Sequence, residues 1–234
     1  MNILAIDTCL GAVSVGIGRS NPGEGLSITE CFERRSTGHA ERLVPMIEAE
    51  MTGAGLAFRD LDRIAVTLGP GTFTGVRTGI AVARALRLAA DVEVVGMASF
   101  AVMAQRVFEL SAGEVAAPSP VMVAVDARRG RLYVQLFGSS ALDPLTQPSE
   151  LTAEAAAELA LRFDGIRIAG SGAKLIADAA GGAKLAVLCG DIEPHAGDLV
   201  RLAARLTPLV DILPIYIRPP DAKPQGDKRL ERAS

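Results

Sequence analysis

Glycines at 69, 71, 75 and 79 crowd the stretch "LGPGTFTGVRTGIAVARALRLAA" (68–90), together with threonines at 72, 74 and 78 and Arg77. A glycine-rich turn between a strand and a helix suits anion binding, because free N–H groups at a helix start favour negative charge. Gly69, Gly71, Thr72 and Thr74 are the contacts that chemistry would use, with Arg77 as either a phosphate partner or a surface salt bridge. The stretch is neither a P-loop, since no lysine follows the glycines, nor G-x-G-x-x-G, since the spacing has one residue too many. A second reading is packing. Thr72 or Thr74 caps the helix, and Gly75, Gly79 and Ala83 form a small-residue stripe that admits a second helix at close range. The spacing favours packing over phosphate.

Asp7 closes the apolar run "NILAI", and Asp126 closes "VMVAV". A carboxylate at a strand end can hold a magnesium–nucleotide or activate water, or it can accept N–H bonds in its own turn. His39 and His195 both precede helices, with no zinc spacing such as H-E-x-x-H, and no G-x-S-x-G marks a hydrolase. Three scattered cysteines form no CxxC pair, so neither a disulfide framework nor a metal site is expected.

The elements that must position these residues repeat. Runs 2–6, 12–18 and 26–34 read as a strand meander, and 39–52 as a helix with Ser36 or Thr37 as its cap and Pro45 early in it. A strand at 63–68, the helix of the glycine stretch, a strand at 91–97 and a helix at 99–110 follow. Arg84 and Arg87 read as a solvated face. After "SAGEVAAPSP" (111–120) the pattern restarts: "VMVAVDA", the turn "RRG", "RLYVQLFG", then helices flanking "IRIAG" and a last helix at 195–206. Two copies of an α/β unit facing each other across a cleft is the predicted architecture. The expected divisions are an N-terminal lobe at 1–110, a C-terminal lobe at 111–218 and a mobile tail at 219–234. Apolar residues make up 49%, enough for a core, and the net charge of −3 argues against a chain that grips nucleic acid alone. No segment reads as a membrane span, and a soluble, cytoplasmic protein is expected.

"ILAIDT", "HAERLVPMI", "DLDRIAV", "GPGTFTGVRTGIAVARAL", "VDARRGRLYVQLF" and "PIYIR", in this order, resemble the TsaB (YeaZ) family over nearly the whole chain. The resemblance implies two RNase H-like lobes of the actin/Hsp70/sugar-kinase type. It implies a role in forming N6-threonylcarbamoyladenosine (t6A) at position 37 of tRNAs reading codons that start with A, as partner of the catalytic paralogue TsaD and of the ATPase TsaE, with the threonylcarbamoyl-AMP synthase TsaC alongside. In TsaD two metal-binding histidines sit four residues apart, and the matching positions here are Ser99 and Met103, a hydroxyl and a thioether unsuited to that metal. No catalytic or metal-ligating residue is therefore expected. Thr72 replaces the usual serine, "GMASF" a Gly-Val-Ser-Ser-Leu run, and Ala85 a common glycine. No tightly bound cofactor is expected, and ATP or ADP would sit at the lobe or partner interface.

On this reading Leu43, Met46 and Ile47 on one helix, with Gly75, Arg77, Gly79 and Ala83 on the next, form the junction with a paralogue or with a second copy in a homodimer. Gly79→Leu is then expected to abolish pairing and leave the monomer folded. The alternative is an actin-like small-molecule kinase using Asp7, Asp126 and "AGSGAK" (169–174). An Hsp70-like or glycoprotease-like cleft is the poorest fit.

Overall fold

The computed structural model describes residues 1–21, 23–112, 119–182 and 185–218. Most of the boundary segment 111–120 and the tail from 219 lie outside the described residues.

Two five-stranded mixed sheets carry the fold. In the first, β1 (Asn2–Asp7), β2 (Ala12–Ser20) and β3 (Leu26–Arg34) form an antiparallel meander. β4 (Arg63–Thr67) then joins parallel to β1, and β5 (Glu93–Met97) parallel to β4. The second sheet repeats the plan. β6 (Val121–Asp126), β7 (Leu132–Phe137) and β8 (Ser149–Leu151) form the meander, while β9 (Arg167–Ala169) joins β6 and β10 (Ala186–Cys189) joins β9, both parallel. The order 3-2-1-4-5 in each half is the RNase H-like arrangement, and the chain contains it twice.

Alternation along β1 decides the layers. Leu4 and Ile6 face α1 (His39–Gly53) and α2 (Phe73–Ala90) on the outer side of the first sheet. Ile3 and Ala5 face the opposite way, into a core shared with α3 (Ser99–Leu110), α6 (Ala196–Ala203) and Val121 and Val123 of the second sheet. The outer side of the second sheet is covered by α4 (Ala153–Ala160) and α5 (Ala173–Ala179). Both α3 and α6 thus lie between the sheets, and they cross over. α3 follows β5 but packs on β6, β7 and β9, whereas α6 follows β10 but packs on β1 and β2.

A polar clip seats α6. Ser14 Oγ accepts from Ala196 N at 2.9 Å and donates to Glu30 Oε1 at 2.7 Å. Gly197 N donates to the same oxygen at 3.1 Å, and His195, stacked on Phe32, meets Oε2 at 3.2 Å. The carboxylate thereby caps the helix start. Burial pushes the Glu30 pKa up, but the hydrogen bonds from His195, Ser14 and Gly197 outweigh it and hold it at about 2. A depressed carboxylate stabilises the fold above its ordinary pKa, and that contribution is lost as pH falls from 4.5 through about 2. Glu30→Gln is expected to cost about 1–2 kcal/mol at pH 7 in urea unfolding, the full shift being discounted for partial exposure, and the gap closes near pH 2.

Two local expectations are corrected. The residue before α1 is Gly38 at φ +74°, not Ser36 or Thr37, and no side-chain cap bonds there among the described residues. Starting at His39 puts Pro45 in the second turn, where it is exposed and the carbonyl left without an N–H donor can be solvated.

Candidate functional site

The glycine loop folds onto the chain's own β1–β2 turn. Thr72 N donates to Cys9 O at 2.7 Å, and Thr8 Oγ1 donates to Gly75 O at 2.7 Å. A Cβ on Gly71 would collide with the Cys9 carbonyl, and one on Gly75 with the Thr8 carbonyl. Gly69, at φ +98°, has no room because Ile215 O lies 2.6 Å from where its Cβ would stand. Thr72 caps α2, its hydroxyl accepting from Gly75 N at 3.2 Å. Thr74 is exposed, and its carbonyl accepts from the Thr78 hydroxyl at 2.9 Å. The amides of Thr72 and Gly75 are therefore spent on the chain itself.

Asp7 lies behind this loop, fully buried. Its Oδ1 accepts from Thr67 Oγ1 at 2.5 Å and from Cys9 N at 3.3 Å, and Thr67 Oγ1 in turn accepts from Cys9 Sγ at 3.1 Å. Asp7 Oδ2 finds no hydrogen-bond partner among the described residues. Burial raises the Asp7 pKa from 3.8 to about 7, against the opposing hydrogen bonds from Thr67 and Cys9. Burial, then the neighbouring Asp7, push the Cys9 thiol well up, so it is no ready thiolate.

Between the sheets opens a cleft with two hollows of ≈ 280 and ≈ 350 Å³, both lined by Leu10, Thr72, Val125 and Arg128. Glu193 and Ser171 line the first, and Asp126 and Tyr133 the second. Of the two strand-end aspartates, Asp126 reaches this cleft and Asp7 does not appear in its lining. Asp126 also serves its own turn, accepting from Arg128 N at 2.8 Å. Neither histidine meets a metal-like donor set: His39 Nε2 meets Leu10 O at 3.1 Å, and His195 belongs to the α6 clip. Among the described residues no group of three or more His, Cys, Asp or Glu side chains could hold a metal ion. Ser99 and Met103, the pair that the resemblance sets against metal-binding histidines, are equally committed. Both are fully buried on α3, with Ser99 Oγ donating to Pro70 O at 2.5 Å.

The residues assigned to a partner junction sit differently from that assignment. Leu43, Met46, Ile47, Gly75, Gly79 and Ala83 are all buried within the single chain, facing β1, β2 and β4. The small-residue stripe does admit a close neighbour, but that neighbour is Thr8 at the end of β1: a Cβ on Gly79 would stand 2.8 Å from Thr8 Oγ1. Arg77 alone of the set faces outward, its guanidinium 3.7 Å from the exposed Phe73 ring and its Nε donating to Tyr216 OH at 3.0 Å. Arg84 and Arg87 are not a merely solvated face. Arg84 donates to Ile212 O at 2.5 Å, and Arg87 to Leu209 O and Val210 O. Sequence reasoning missed these contacts and the Phe73–Arg77–Tyr216 stack. The signal was the arginine spacing on one face of α2 together with the unplaced "PIYIR" run.

Residues 33–161 match the family model for TsaD, tRNA N6-adenosine threonylcarbamoyltransferase. TsaB of Escherichia coli K12, a tRNA threonylcarbamoyladenosine biosynthesis protein, is 35% identical over 133 residues, 57% of this chain and 53% of that protein. The solved structure of YeaZ from Pseudomonas aeruginosa superposes with a TM-score of 0.75 at 26% identity, over 92% of this chain and 99% of that one. The chain belongs to the TsaB (YeaZ) family. An uncharacterized protein of Mycobacterium tuberculosis H37Rv is 31% identical over 95% of this chain and 94% of its own length. The matches to the curated TsaB proteins of E. coli and Haemophilus influenzae span about half of their length. In this TsaB-family chain no helix among the described residues is long and apolar enough to cross a membrane.

Proposed function

We propose that this chain is a non-catalytic subunit of the machinery that forms t6A at position 37 of tRNAs reading ANN codons, and that it works by docking onto and stabilising a TsaD-like paralogue. The observation that carries the reading is the commitment to the core of Ser99 and Met103, the pair that the resemblance sets against metal-binding histidines. A hydroxyl already donating to Pro70 and a buried thioether are the wrong donors for a hard metal. A TsaE-like ATPase completes the assembly in the cytoplasm, and the paralogue holds the tRNA, in keeping with a net charge of −3. Nucleotide, if bound, sits at the lobe or partner interface.

The docking surface follows from the burial pattern. The inward faces of α1 and α2 are spent on the first sheet, so the paralogue meets their outward faces, where Val44, Phe73, Ala81, Ala85 and Leu88 are exposed. The same faces would pair two copies when the chain is alone. Val44→Asp and Ala81→Asp are each expected to weaken pairing at least ~10-fold, because a carboxylate is stranded at an apolar contact. Unfolding should stay within about 0.5 kcal/mol of the parent, since both sites are exposed. Titration calorimetry against the purified paralogue checks this.

The functional test supplies threonylcarbamoyl-AMP and tRNA to the chain alone and to the chain with its paralogue. No transfer by the chain alone, and stimulation of the paralogue on adding it, is the expected result. Robust transfer by the isolated chain would overturn the proposal.

A further inference from the structure

We propose that residues 209–218 form a clasp that sets the width of the cleft between the two sheets and couples it to the outer face of α2. The segment runs antiparallel to α2, as its contacts show in sequence. Arg87 holds the carbonyls of Leu209 and Val210, Arg84 that of Ile212, and Arg77 the Tyr216 hydroxyl. Tyr216 also stacks on Phe73, ring centroids 5.8 Å apart. Two backbone bonds pin the segment to the first sheet, Leu209 N to Val94 O and Ile215 N to Leu68 O, both 2.7 Å.

Its far end changes lobe. Arg218 pairs with Glu150 on β8 and lies over the Tyr133 ring on β7, 5.6 Å from the centroid. Arg131 donates to the same carboxylate at 2.8 Å. Two cleft walls are thereby touched by one short run of chain. Ile215 O packs against Gly69, the residue before Pro70 in the loop wall, while Arg218 packs against Tyr133 in the wall opposite. Both guanidinium groups act on Glu150: the hydrogen bond from Arg218 first, then that from Arg131, hold its pKa at about 2. The second-lobe anchor is therefore ionised through the neutral range.

The segment holds no regular helix or strand, so its path is fixed by these side-chain grips, the two backbone bonds and the burial of Ile212 rather than by a ladder of its own. Releasing either the Tyr216 hold on α2 or the Arg218 hold on β8 loosens the same link. A molecule bound to the outward arginines of α2 would compete with the clasp's carbonyls for those guanidinium donors and so reach the cleft through the clasp.

The test places spin labels at Thr52→Cys on α1 and Arg162→Cys beyond α4, both exposed, in a Cys31→Ser/Cys189→Ser background of the full chain. Pulsed dipolar spectroscopy then compares the parent with Tyr216→Ala, Glu150→Ala and the double variant. Each single variant is expected to broaden the distance distribution roughly twofold, and the double to broaden it no further, because both cut one link. Glu150→Gln, which keeps the side-chain shape and removes the charge, stands in if Glu150→Ala does not fold. Unchanged widths, broadening by only one of the two, or additive broadening in the double variant would each overturn the clasp.

Discussion

Gly79→Leu is expected to unfold this chain rather than merely unpair it, with a loss of more than ~3 kcal/mol in urea unfolding or no soluble protein at all. The sequence reading that places Gly79 on a partner-facing stripe expects the opposite, a folded monomer without a partner. The difference lies in what occupies the space above the glycine. A Cβ there would stand 2.8 Å from Thr8 Oγ1, with Val66 Cγ2 at 3.6 Å and Ile6 Cγ2 at 4.0 Å. The Thr8 hydroxyl cannot step aside cheaply, since it is buried and donates to Gly75 O one turn earlier in α2. A leucine adds three further carbons to a layer that already contains fully buried Val66 and Ile6. Gly79→Ala isolates the first carbon. Its gain in helix propensity, about 1 kcal/mol, should be outweighed, and Thr8→Ala in the same chain should recover part of the loss. Ala85→Leu, exposed on the same helix, is the control and should stay within about 0.5 kcal/mol of the parent. A Gly79→Leu chain that melts like the parent would return the stripe to the surface.

That case shows where sequence reasoning stops. Spacing reveals that Gly75, Gly79 and Ala83 admit a close neighbour, but it carries no information on which neighbour arrives. The same limit explains α3 and α6. Their apolar faces announce burial, yet nothing local says that each packs on the sheet of the other half. The repeated strand–Asp–turn–strand openings were legible because β1, β2, β6 and β7 are central strands with strong apolar patterns. β8 was not, because "SEL" is an edge strand of three residues with no alternation to read, and the four-residue edge strand β10 escaped as well. Within the candidate site, the Thr72 cap follows from residue type and position. The grip of Arg84 and Arg87 on main-chain carbonyls more than a hundred residues away does not, because carbonyls leave no trace in a sequence.

Asp7→Asn is expected to stabilise the chain, and only at higher pH. Asp7 is fully buried, one oxygen serves Thr67 and Cys9, and Oδ2 has no partner among the described residues. Burial lifts its folded-state pKa from the ordinary 3.8 to about 7. For a carboxyl raised on folding, the cost is absent below the unfolded pKa, where both states hold the proton. It grows as pH climbs from about 4 to about 7, where the unfolded state has ionised and the folded state has not, and is constant above. The interval corresponds to a ceiling on the order of 4 kcal/mol. Asparagine keeps an oxygen for the Thr67 hydroxyl and the Cys9 amide and carries no charge, so most of that cost should vanish at pH 8. Asp198, raised to about 6 chiefly by burial, tilts the parent's curve in the same direction, so the difference between parent and variant is the quantity to read. Urea unfolding at pH 4 and pH 8 decides the matter: near-equal stability at the lower pH and an advantage of several kcal/mol for Asp7→Asn at the higher. Equal stability at both would mean that the folded chain ionises Asp7 as readily as water does, and that the loop over it is open.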